Sequence, residues 1–103
     1  MLLPELCLSE AAHLLARYVS PQAEARLAES LRDREIRLVA TEVQDWKRIS
    51  ELVRQYLDLP LGIVDAAVVA IAERLGTGTI ATLDRRHFSI VRPQHVDSFD
   101  LVP

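Results

Sequence analysis

The 103-residue chain has one cysteine, one lysine, one tryptophan and only three glycines. A lone Cys7 excludes an internal disulfide and a cysteine-rich zinc site. No apolar run approaches the roughly 18 residues of a membrane span. The basic-then-apolar pattern of a signal peptide is also missing at the N-terminus. The expectation is therefore a cytoplasmic domain with no membrane partner. Twelve Lys and Arg against fifteen Asp and Glu leave a net charge of −3. Such a chain has no whole-surface positive field to draw in nucleic acid. A local nucleic-acid site, with positive charge supplied by a bound cation, stays open. Glycine-rich phosphate loops, a nucleophile elbow and a catalytic Cys–His pair are all absent. So are repeats and low-complexity tracts.

What is present is a set of short elements parsed by the few breakers. Proline stands at 4, 21, 60, 93 and 103, and glycine at 62, 76 and 78. A first helix is predicted over residues 5–18, with Leu3, Cys7, Glu10, Ala11, Leu14 and Leu15 on one broad face. Ser20 followed by Pro21 is an N-cap with proline at the first helical position, opening a second helix to about residue 34. Its inward side would carry Ala23, Leu27 and Leu31. Residues 36–40 read as a strand. Thr41 and Gln44 match a capping box for a helix bearing Trp46, Ile49, Val53 and Tyr56 on one stripe and ending before Pro60. Residues 63–75 form a helix apolar nearly all round, closed by Gly76 as a left-handed cap. Residues 79–83 read as a buried strand and 98–102 as an edge strand. Helices alternating with short apolar strands indicate an α/β fold with a mostly parallel sheet.

Three carboxylates stand out against this frame. Glu10 interrupts the apolar stripe of the first helix. Asp65 is the only charge early in the apolar helix, and Asp84 follows directly on a predicted strand. A 13-residue helix rises about 20 Å and a five-residue strand spans about 16 Å. A helix running back against the strand that follows it thus brings Asp65 and Asp84 to the same sheet edge. In open α/β sheets that carboxyl edge is where ligands bind. Each acid also has a plainer reading. Asp65 suits the dipole of any first helical turn, Asp84 before Arg85 and Arg86 suits a turn with a local ion pair, and Glu10 suits a solvent-facing margin. Taken together, clustered carboxylates repel one another unless a divalent cation neutralises them. An oxygen-only ligand set favours Mg²⁺ or Mn²⁺. Glu10 and His13 also have Glu-x-x-His spacing, but a di-iron bundle needs a second copy and further glutamates, which are lacking. His87 and His95 have no metal-ligand spacing. Trp46 and Tyr56 suit a core or an interface.

The segment LGIVDAAVVAIAERLG (61–76) followed by IATLDRRHF (80–88) resembles the C-terminal half of a PIN domain, closest to the VapC toxins of toxin–antitoxin pairs. LCLSEAAHLL (6–15) is similar to the segment bearing that family's helical glutamate. The resemblance implies a PIN-like three-layer sandwich and an Mg²⁺- or Mn²⁺-dependent endoribonuclease. Its RNA substrate, a cognate antitoxin and a second copy of the chain in a homodimer would be the partners. By position Glu10, Asp65 and Asp84 would be catalytic metal ligands, Thr82 would orient the site or touch phosphate, and Arg85 and Arg86 would contact the RNA backbone. Two departures accompany it. The family's opening central strand, ending in its first Asp ligand, has no counterpart, and some relatives carry an acid where His87 stands. The expectation is one PIN-like domain over 1–103, truncated at its N-terminus. The alternative from another class is a non-catalytic remnant that binds an antitoxin or dimerises.

Overall fold

The computed structural model describes residues 1–81 and 100–102. The chain divides into two compact units, Met1–Thr41 and Glu42–Pro103. The first opens with a three-residue strand, β1 (Leu2–Pro4), then a 3-10 turn (Glu5–Cys7) that runs into helix α1 (Leu8–Tyr18). Helix α2 (Pro21–Arg32) packs against α1 and leads to strand β2 (Arg37–Val39). β1 and β2 pair in parallel, Leu3 opposite Leu38. Ser20 caps α2 as its sequence predicts: its hydroxyl accepts from the Ala23 N–H at 3.1 Å, with Pro21 in the first turn. No residue of Met1–Thr41 is fully buried.

β1 corrects the expectation that Leu3 lies on the first helical face. Pro4 has an extended backbone, and the helical path begins only after it. A three-residue strand has too few residues for alternation to show. Pairing with β2, 35 positions away in register, is what makes it a strand.

The second unit holds helix α3 (Val43–Gln55), helix α4 (Ile63–Leu75), and strands β3 (Thr79–Ala81) and β4 (Asp100–Val102), which pair in parallel. Its core joins Ile49 and Leu52 of α3 to Leu61 and to Ala66, Ala67, Val69, Ala70 and Ala72 of α4. Four of those five α4 residues are alanines, so the larger Ile49, Leu52, Leu61 and Val69 supply most of the core's volume. Gly76 ends α4 at φ +71°, the left-handed conformation that costs a side chain about 1 kcal/mol and glycine little. Both strand pairs are parallel, in keeping with an α/β fold.

Two sequence readings of α3 are revised. The cap is Glu42, and the returning side chain is Asp45, whose carboxylate accepts from the Glu42 N–H at 2.9 Å. The Thr41 hydroxyl is buried with no hydrogen-bond partner among the described residues. Gln44 instead donates to the Glu42 carboxylate. Two overlapping capping patterns, offset by one residue, compete here. The second wins because Asp45 also meets Arg74. The inward stripe is accordingly Asp45, Ile49 and Leu52, with Val53 and Tyr56 beside it, while Trp46 is 47 % exposed.

Candidate active site

Glu10 and Asp65 occupy equivalent places. Each is the third residue of its helix, Glu10 in α1 and Asp65 in α4, and neither helix has a side-chain N-cap. The first amides of a helix lack intrahelical partners and carry the positive end of its dipole. An acid in that turn has a favourable place beside those amides. Asp45 is also a third-position acid, and it shows the structural use of that place. It is 3 % exposed, reaches back to its own N-cap amide and is held by Arg74.

Glu10 differs from Asp45. It is exposed, and among the described residues its carboxylate has no hydrogen-bond or ion-pair partner. This corrects the expectation that it breaks a buried stripe. Because α1 starts at Leu8, its covered side is formed by Leu8, Ala11, Ala12, Leu14, Leu15 and Ala16. Ser9, Glu10, His13 and Arg17 face solvent. Asp65 is half-buried at the start of α4, ahead of the fully buried Ala66 and Ala67. Asp84, Thr82, Arg85, Arg86, His87 and His95 lie outside the described residues. Among the described residues no three acids, histidines or cysteines are grouped as a metal site. None of their helices is long and apolar enough to cross a membrane.

The densest charge in the second unit lies elsewhere, across α3 and α4. Arg48 grips Glu73 with two parallel bonds, Nε to Oε1 at 2.7 Å and Nη2 to Oε2 at 2.9 Å. The hydrogen bonds that Arg48 donates to Glu73 raise its pKa above the ordinary guanidinium value. Arg74 bridges Asp45 and Glu42. A depression over this face is lined by both arginines and by Asp45, Lys47, Glu51 and Glu73, and Asp65 is not among its lining residues. Both arginines are held by acids of the facing helix or its cap, Arg48 in a two-bond fork on Glu73, the pattern of a clamp between two helices.

The PIN domain family model matches residues 1–92. The chain belongs to the PIN-domain family. Ribonuclease VapC26 of Mycobacterium tuberculosis (strain ATCC 25618 / H37Rv) is 36 % identical over 95 residues, spanning 92 % of this chain and 70 % of that protein. Within the PIN family this places the chain with the VapC type. Among the described residues, the small parallel strand pairs and four α-helices accord with a PIN-like α/β fold.

Proposed function

We propose that this PIN-domain chain is an endoribonuclease of the VapC toxin type, a hydrolase of RNA phosphodiesters controlled by a cognate antitoxin. The observation that carries the reading is the 36 % identity to a ribonuclease along nearly the whole chain. Glu10, Asp65 and Asp84 are the residues proposed to hold Mg²⁺ or Mn²⁺. Their chemistry fits such an ion: all are carboxylates, and hard divalent cations take oxygen ligands. Glu10 adds a second point of fit, since its exposed carboxylate has no cation to neutralise it among the described residues. When bound, the ion supplies charge neutralisation at the phosphodiester and activation of water.

The chain's own residues do the remaining work. Asp65 is fixed by the rigid start of α4, which Leu61, Ala66 and Ala67 anchor in the core. Thr82 is proposed to orient the acids, and Arg85 and Arg86 to bind backbone phosphates. In the hydrolysis water adds across one P–O bond, its hydroxyl going to phosphorus and its proton to the departing oxygen. The protein is proposed to act in the cytoplasm as a homodimer.

A second reading has an observation in its favour. The first unit buries no residue fully, leaving the flanks of α1 and α2 half covered. A non-catalytic module that binds an antitoxin or a second copy would cover them. Incubation of an RNA panel with the chain, with Asp84→Asn and with Asp65→Asn separates the two. The enzyme reading expects Mg²⁺-dependent cleavage by the parent chain, abolished by EDTA, restored by Mn²⁺ and lost in both variants. Equal background cleavage in all three would establish the module reading.

A further inference from the structure

The last turn of α1 leaves in solvent a group that neither packing nor charge balance explains. Tyr18 is 71 % exposed, with Val19 beside it 68 % exposed. The Arg17 guanidinium lies over that ring, its central carbon 5.5 Å from the centroid. Like Arg26, Arg34, Arg37 and Arg54, Arg17 has no ion-pair partner among the described residues, but it alone of these lies over an aromatic ring there. A cation at a helix C-terminus is favoured by the dipole, which accounts for Arg17 alone. It does not account for a large aromatic side chain held open to water beneath it.

Geometry ties this pair to Glu10. Arg17 is seven residues on from Glu10, close to two full turns, so the two share one face of α1 about 10 Å apart along its axis. His13, also exposed, stands between them on that face. An open aromatic face beside an uncompensated guanidinium offers the two contacts that single-stranded nucleic acid uses, base stacking and phosphate pairing. The patch is too small to hold a membrane, and its charge complements a phosphodiester.

We propose that Arg17 and Tyr18 form a contact for single-stranded RNA, with a base stacked on the open face of Tyr18 and the adjoining phosphate on Arg17. The spacing from Glu10 assigns this contact to a nucleotide flanking the one that is cut. It is thus a binding and specificity contact, outside the catalytic group. The assignment rests on the ribonuclease reading given above.

The test is fluorescence anisotropy of a labelled random-sequence single-stranded RNA, titrated with the full chain in EDTA over a series of salt concentrations. Tyr18→Ala should weaken binding about tenfold, and Tyr18→Trp should restore it. Arg17→Gln should reduce the slope of log affinity against log salt by about 0.7, the value of one phosphate contact on a single strand. Arg17→Lys should keep that slope. Under cleavage conditions Tyr18→Ala should raise KM and leave kcat in place. Both side chains are exposed, so the variants should keep the parent's thermal melt. If the parent binds and cleaves RNA while Tyr18→Ala and Arg17→Gln match it in affinity and salt slope, this contact is overturned and the ribonuclease reading stands. If the parent neither binds nor cleaves RNA, both fall.

Discussion

Arg74 donates from Nε to both carboxylate oxygens of Asp45, at 3.1 Å each, joining the last turn of α4 to the first turn of α3. Asp45 is the one buried charged residue among those described, and it also satisfies the Glu42 amide. Two functions thus rest on one side chain. Asp45→Ala removes a cap worth about 1 kcal/mol and leaves a partly buried guanidinium short of its acid, a further loss of about 2 kcal/mol. Urea unfolding followed by fluorescence of the single tryptophan, Trp46, should show a stability loss of about 3 kcal/mol. Glu42→Gln should lose far less, because the Glu42 side chain is about half exposed.

The Arg48–Glu73 fork should act as an independent clamp on the same helix pair. The pair is largely covered, with side chains 17 % and 9 % exposed. A double-mutant cycle with Arg48→Met and Glu73→Gln should return a coupling of about 1–2 kcal/mol. Arg48→Lys should lose about half of that, since an ammonium cannot reproduce the planar fork. The raised Arg48 pKa leaves this contribution flat with pH across the neutral range. A raised base keeps its stabilisation below its unfolded value and loses it only as pH climbs through the folded one. Repeating the cycle at pH 6 and pH 9 checks this.

Arg32 and Asp33 make an equally good fork, 2.8 and 3.0 Å, in full solvent. The hydrogen bond from Arg32 lowers the Asp33 pKa below the ordinary aspartate value. A depressed acid contributes stability above its unfolded pKa and loses it as pH falls through the folded one, so the window lies wholly on the acid side. Carboxyl carbon NMR should find Asp33 titrating below the usual aspartate range in the parent chain and within it in Arg32→Gln. Half-molar salt should shift the parent value the same way, because exposed charges are screened. The denaturation midpoint at pH 7 should fall only slightly in that variant, because an exposed pair contributes little.

These contrasts also mark what was legible in the sequence. Helix α4 was read to the residue because its limits are local: Gly62 before it, Gly76 after it, and an apolar run between. Ser20–Pro21 was equally plain. β1 was not, because a three-residue strand exists only through a partner far along the chain. The burial of Asp45 was hidden for the same reason, since an acid in a first turn looks alike whether an arginine 29 positions away covers it or water does. That ambiguity applies to the candidate site too. Glu10, Asp45 and Asp65 share one helical position, and sequence singled out Glu10 and Asp65 by their motifs while passing over the acid that proves structural.

Asp65 can be separated from that structural use by measuring stability and activity on one variant. If its carboxylate served only the dipole of α4, Asp65→Asn would cost at most about 1 kcal/mol and leave RNA hydrolysis untouched. In the proposed site the amide keeps the shape and hydrogen-bonding reach of the side chain but forfeits the negative charge that holds the divalent ion. The expected outcome is therefore a small stability loss, within about 1 kcal/mol, together with a fall in hydrolysis of more than about 100-fold, equivalent to 2.7 kcal/mol or more of lost transition-state stabilisation. Asp45→Ala supplies the opposite pattern as an internal control. It should lower stability severalfold more, yet retain near-parent hydrolysis at temperatures where it stays folded. Parallel urea unfolding and RNA cleavage assays on the two variants would show whether stability and chemistry part in this way. Proportional losses in both would place Asp65 beside Asp45 as a structural acid.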